Sequence, residues 1–201
     1  MLARGFGESD RRGQSPVVAD SPVSAGGSED LLTGLPTRAI FDDRLEQRLR
    51  HADGGQRAVA IIELEDIRSI NDSLGHEAGD MVLTTVGHRL RALVAPADTV
   101  ARLGGGQFAL LLDVGQDAEP GLHRRLRKLL ADLEEPVEVA GVSLVVHGVA
   151  GVAIYPRDAA DGPTLVRRAD TAVVAARESL KRVCFHAPDG LGRVDHLTLA
   201  N

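Results

Sequence analysis

Aromatic residues are scarce in this chain: one Tyr, four Phe and no Trp among 201 residues. A core built from it must be aliphatic, and stacking platforms for single-stranded nucleic acid are excluded. Positive charge is also in deficit. Lys and Arg number 23 against 29 Asp and Glu, a formal charge of −6. That sign argues against non-specific nucleic-acid binding, which displaces counterions from phosphates with a basic surface. The single cysteine, Cys184, rules out an internal disulfide and any zinc-knuckle spacing, and reads as a small buried apolar residue of a protein in a reducing compartment. No apolar run approaches the roughly 20 residues that span a bilayer, and the first 30 residues hold no signal-peptide core. A cytoplasmic protein with no membrane partner is expected.

What is present is a hydrophobic fraction of 43%, ample for one globular core. Residues 1–29, rich in Gly, Ser, Pro and charge, read as a disordered N-terminal tail, and residues 187–201 as a flexible C-terminal one. The pattern between them, residues 30–186, is dense. Phe41, Leu45 and Leu49 recur on one helical face behind Thr37, a candidate cap, and Gly54-Gly55 stops the helix. Ala58 to Leu64 is a continuous apolar run, read as a central strand buried on both faces that delivers Glu63 and Glu65 at its tip. A short helix from Asp66 to Leu74 and a longer one carrying Val82, Val86, Leu90 and Val94 follow. Thr99 to Asp113 reads as a hairpin turning on Gly104-Gly105-Gly106, and Leu122, Leu126, Leu129 and Leu133 mark another helix. A second hairpin is predicted from Val137 to Ile154 across Gly141, then a helix from Thr164 to Ser179 and a strand from Val183 to Phe185. The mixture of helices and hairpins predicts the α+β class.

Several chemistries drop out at once. There is no P-loop, and no helix follows the triple glycine in the manner of a dinucleotide fold. Ser143 and His147 fall on one face of a predicted strand and read as an ordinary pair, because no nucleophile elbow surrounds them. Arg124, Arg125, Arg127 and Lys128 form the solvated face of an amphipathic helix. More informative is a composite. Acids end a central strand, and if the glycine-rich hairpin pairs beside it, carboxylates and open backbone amides meet at one sheet edge. Phosphates and metal ions need such a place.

Ordered motifs then accumulate. Asp30-Leu31-Leu32-Thr33-Gly34-Leu35-Pro36-Thr37-Arg38 opens the domain, Glu63 to Asp72 and Ser73 to Asp80 carry two further blocks, and Arg102-Leu103-Gly104-Gly105-Gly106-Gln107-Phe108 follows. Gly151 to Pro156 and Arg168 to Ala172 add two more. These blocks resemble the GGDEF domain of bacterial diguanylate cyclases, which condense two GTP into cyclic di-GMP. The resemblance implies a mostly antiparallel central sheet wrapped by helices, like that of class III nucleotide cyclases. It also implies Asn71 and Asp80 at the guanine edge, and Arg68, Arg177 and Lys181 near the phosphates. Leu180 stands where the family has a glycine.

The departures from the family fall on the charge. The third and fourth signature positions, both acidic in the family, are Gly106 and Gln107 here, and the first acid of the strand block is Glu63 where the family has Asp. Those acids hold two divalent cations on the triphosphate and help activate the attacking hydroxyl. A neutral amide is a poor substitute for a hard cation, and the extra methylene of Glu63 displaces the one remaining metal candidate. Losing the metal clamp and the activating group costs about 4 kcal/mol each, a thousandfold apiece. The family's product-inhibition motif appears as Ala95-Pro96-Ala97-Asp98, without the arginine fork that would hold cyclic di-GMP. The expectation is therefore a degenerate GGDEF domain, catalytically inactive, acting as a regulatory GTP-binding or protein-interaction module, with no certain cofactor and Mg²⁺ only alongside nucleotide. The alternatives are an active cyclase, with Glu63, Glu65 and Asp66 holding the metals, and a ligand-free protein-binding module. Family enzymes pair two domains, so a transient homodimer is conceivable; input or output is expected from another chain.

Overall fold

The computed structural model describes residues 27–52, 54–114 and 118–187. The expected tails fall largely outside these residues. Gly27, Ser28 and Glu29, assigned to the first tail, are instead tied to the start of the opening helix. The Thr37 hydroxyl donates to the Gly27 carbonyl at 3.1 Å, and Glu29 bridges to Pro36. Thr37 thus occupies the cap position of α1 (Arg38–Arg50) without capping it by its side chain.

The central strand is β1 (Gln56–Leu64), and its unbroken apolar run has the expected cause. Ala58, Ala60, Ile62 and Leu64 pack into one core cluster, while Val59 and Ile61 pack into the other. Two helices follow: α2 (Ile67–Leu74), entered through Asp66 in the left-handed region, and α3 (His76–Leu93). The hairpin of β2 (Thr99–Gly104) and β3 (Gln107–Val114) turns on Gly105-Gly106, and α4 (Ala118–Leu133) comes next. The rest is β4 (Val137–Val139), β5 (Val142–Leu144), β6 (Gly148–Tyr155), α5 (Gly162–Glu178) and β7 (Val183–Phe185).

The main sheet runs β2-β3-β1-β6-β7, antiparallel except for the parallel β6–β7 pair. It is the expected α+β, mostly antiparallel sheet. α3 and α4 cover one face with Val82, Val86, Leu90, Leu126 and Leu130; α1 and α5 cover the other with Phe41, Leu45, Leu165 and Val173. Cys184 is buried on β7.

The predicted second hairpin is corrected. Only Val137 to Leu144 pairs with itself, around Ala140 (φ 50°) and Gly141 (φ 78°), the two positive angles of a tight primed turn. The following apolar run leaves that hairpin and pairs with β1 as β6, because a strand buried on both faces belongs inside the main sheet. Ser143 and His147 are separated by the same correction. Ser143 lies on β5, while His147 lies outside the strands, its Nδ1 2.5 Å from Glu134 Oε1.

Candidate functional site

The tip of β1 is set by register. Glu63 pairs with Gln107 on β3 and with Val149 on β6, and the Leu64 amide donates to the Gly106 carbonyl at 2.9 Å. The signature hairpin therefore lies beside the strand-end acids, as the composite reading requires. Its tight turn depends on glycine at Gly104 (φ 122°) and Gly105 (φ 52°), conformations that side chains rarely adopt. Arg102 braces the hairpin from behind. One guanidinium nitrogen donates to both oxygens of Asp30 at 3.0 Å and the other to the Gly105 carbonyl at 3.1 Å. Phe108 turns inward and is fully buried.

An open groove of about 910 Å³ lies at this tip. It gathers Glu63, Arg68, Asn71, Arg177 and the hairpin residues Gly104 to Gln107. Glu65 and Asp66 reach it as well. Asp80 and Lys181 do not line it. Asp80 is exposed on the first turns of α3, and Lys181 lies in a neighbouring cleft beside Glu65, His147 and Arg182.

Within the groove, Glu63 has both oxygens engaged. Gln107 Nε2 donates to Oε2 at 3.1 Å, and the Arg177 guanidinium donates to Oε1 at 2.5 Å. Arg177 reaches Glu63 from α5, whose backbone lies close against β6. A methyl group at Gly151 would sit 2.2 Å from both the Ala169 carbonyl oxygen and the Val173 nitrogen. Sequence reasoning had Glu63 and Arg177 separately; no local signal pairs residues 114 positions apart.

The Asn71 side chain lies over a second glycine. A Cβ at Gly79 would fall 1.9 Å from Asn71 Oδ1, so a larger residue there would make the carboxamide turn away from this orientation. That Oδ1 is buried and has no hydrogen-bond partner. An orphaned acceptor costs about 1–3 kcal/mol until a donor reaches it or the amide turns toward one.

A two-cation site does not fit these residues. Gly106 offers no side chain, Gln107 turns its amide onto Glu63, and Arg177 takes the remaining oxygen. Among the described residues, no group of three or more His, Cys, Asp and Glu is arranged to hold a metal ion.

The inhibition-motif position is equally committed. Asp98 is buried, accepts from the Ala95 amide at 3.0 Å and the Asp113 amide at 3.3 Å, and pairs with Arg125. Arg125 is thus drawn from the basic face of α4 into an internal pair; Arg124, Arg127 and Lys128 stay exposed.

Residues 28–182 match the family model described as "Diguanylate cyclase, GGDEF domain". The chain belongs to the GGDEF domain family. Among its relatives is the bifunctional diguanylate cyclase/cyclic di-GMP phosphodiesterase MucR of Pseudomonas aeruginosa, 35% identical over 78% of this chain. The chain spans 23% of MucR's length. The solved GGDEF domain of PA1120 (TpbB or YfiN) from the same organism superposes with a TM-score of 0.76 at 33% identity, covering 81% of this chain and 96% of that one. A further solved relative is the P. aeruginosa diguanylate cyclase SiaD in complex with its activator SiaC (TM-score 0.68, 30% identity, covering 78% and 61%). This GGDEF domain therefore shares the fold of proteins of cyclic di-GMP signalling, and no helix among its described residues is long and apolar enough to cross a membrane.

Proposed function

We infer that this GGDEF domain is catalytically inactive and serves cyclic di-GMP signalling as a regulatory module that takes guanine nucleotide in the groove at the tip of β1. The observation that carries the reading is the closed state of Glu63, bonded through both oxygens to Gln107 and Arg177 beside a bare Gly106. Condensation of two GTP needs cations on the triphosphate and a group that activates the attacking 3′-hydroxyl. Neither role has a side chain at the signature turn. Nucleotide binding is supported by Asn71, which lines the groove at the position the resemblance gives to the guanine edge.

Incubation of the purified protein with GTP and Mg²⁺ or Mn²⁺, followed by chromatography, is expected to yield no cyclic di-GMP. Product that disappears in Glu63→Ala would show instead an active cyclase. A protein-binding role is favoured by one feature beside the groove: Leu180 is 94% exposed just past α5, with Val174 43% exposed on the same helix. The SiaD–SiaC complex supports such a role by analogy. Co-purification of a stoichiometric partner, lost in Leu180→Asp, is its test.

A further inference from the structure

We propose that the domain carries a second ligand site, in the cavity between α1 and α5, and that it takes a small zwitterion with an apolar body, the chemical class of a free apolar α-amino acid. The site is separate from the groove at the tip of β1 and does not depend on the nucleotide reading.

Shape is the first ground. The cavity holds about 420 Å³, within the range of small-molecule sites. It lies on the face of the sheet that α1 and α5 cover, beside the point where the two helices touch. A Cβ at Gly162 would come 3.2 Å from Leu45 Cδ2 there. The floor is apolar: Leu45, Ile61 and Val166 are buried, and Leu103 is half-buried. Among the described residues only Gln107 lines both this cavity and the groove, and its amide is turned onto Glu63. The two sites therefore adjoin at one side chain.

Charge at the rim is the second ground. Asp42, Glu46 and Asp170 stand there with Arg38 and Arg167. Glu46 is engaged by Arg50 at 3.8 Å, and Arg38 stands 4.0 Å from Asp42. Arg167 and Asp170, one turn apart on α5, meet no opposite charge at ion-pair distance among the described residues. On α1, burial raises the Asp42 carboxyl above its usual range, Glu46 adding to the effect and Arg38 opposing it, so this carboxylate too is short of positive charge. A ligand of one charge would satisfy one free group and meet the other as a like charge. A zwitterion answers both: its carboxylate goes to Arg167, its ammonium to Asp170 and Asp42, and its apolar body covers the floor.

The test is heteronuclear NMR titration of the labelled full chain with phenylalanine, with phenethylamine, which keeps only the ammonium, and with hydrocinnamate, which keeps only the carboxylate. Phenylalanine is expected to shift the amides of Leu45, Ile61, Leu103 and Val166 with a Kd of about 1 mM, and to bind about fivefold or more tighter than either analogue. Asp170→Asn is expected to weaken phenylalanine about fivefold and to leave hydrocinnamate within about twofold; Arg167→Gln is expected to weaken phenylalanine equally and to spare phenethylamine. Both residues are exposed, and unchanged amide positions elsewhere report an intact fold. Equal affinity for the three probes, shifts confined to the groove around Glu63 and Asp66, or no shift at about 10 mM phenylalanine overturns the proposal. A GTP titration of the same sample tests the groove by itself: failure of GTP to bind overturns the nucleotide reading and leaves this proposal standing.

Discussion

Leu180 is the residue at which this chain departs most visibly from what its backbone asks for. Past the end of α5, the Lys181 amide donates to the Ala176 carbonyl at 2.9 Å and the Leu180 amide to the Arg177 carbonyl at 3.2 Å. This is the double bond of a Schellman motif, whose left-handed position favours glycine. A leucine holds it at φ 54° with its side chain in solvent. The left-handed conformation costs about 1–2 kcal/mol for an L-residue, and glycine's greater freedom when unfolded returns about 0.4–1 of that. Leu180→Gly is therefore expected to stabilise the domain by about 0.5–1 kcal/mol, read as a rise of a few degrees in the midpoint of thermal unfolding. Such single-residue features differ in how legible they are. The loss of acids at Gly106 and Gln107 is a property of the sequence alone. The capture of Glu63 by Arg177 is not, because it depends on how closely a distant helix lies on the sheet.

That closeness belongs to the packing of two elements. β6 admits the backbone of α5 at Gly151, where even a methyl group would meet the Ala169 carbonyl and the Val173 nitrogen at 2.2 Å. Backbone atoms cannot turn aside as side chains do, so Gly151→Ala must lift α5 from the sheet. Overpacking of this kind costs about 3 kcal/mol or more. The expected outcome in urea unfolding is a midpoint far below that of Gly148→Ala on the same strand, whose nearest contact would be an ordinary 3.4 Å. A soluble Gly151→Ala protein is also expected to lose the Arg177–Glu63 pair. The same strand shows where element-level reasoning stopped. The glycine turn after β4 is a genuine hairpin signal, and it led the sequence reading to extend the hairpin to Ile154. Turn chemistry fixes only the residues next to the turn, three pairs here. Beyond them the partner is chosen by burial, and the apolar run of β6 is buried most completely beside β1. Elements that announce themselves by local periodicity, α1, α3 and the signature hairpin among them, fall where the sequence places them.

Across the whole molecule, two ends of the fold are secured by groups that respond to acid. Burial pulls the Asp30 carboxyl up, but the Thr33 hydroxyl and amide and the Arg102 guanidinium outweigh it and hold it below the usual carboxylate range. Its folded pKa lies below the unfolded one, so its stabilisation is complete above about pH 4 and is lost as pH falls through the folded value. His186, just past β7, is shifted the other way in charge. Burial disfavours its cation, and Arg168 and Arg157 add to that effect against the opposing Asp158, holding its pKa below the usual 6.5. The unfolded chain therefore takes up a proton before the folded one does, and stability falls as pH drops below about 6.5. Acid should accordingly weaken the domain in two separate windows. Asp30→Asn is expected to shrink the lower window, leaving the part that Glu134 and Asp161 contribute through their own lowered pKa values, and to cost about 2 kcal/mol at neutral pH through the charge-assisted bonds to Arg102, without touching the upper one. His186→Gln should flatten the upper window alone. Urea midpoints measured between about pH 3 and pH 8 for the two variants separate these contributions, and a native profile that is flat between pH 7 and pH 5 would contradict the role assigned to His186.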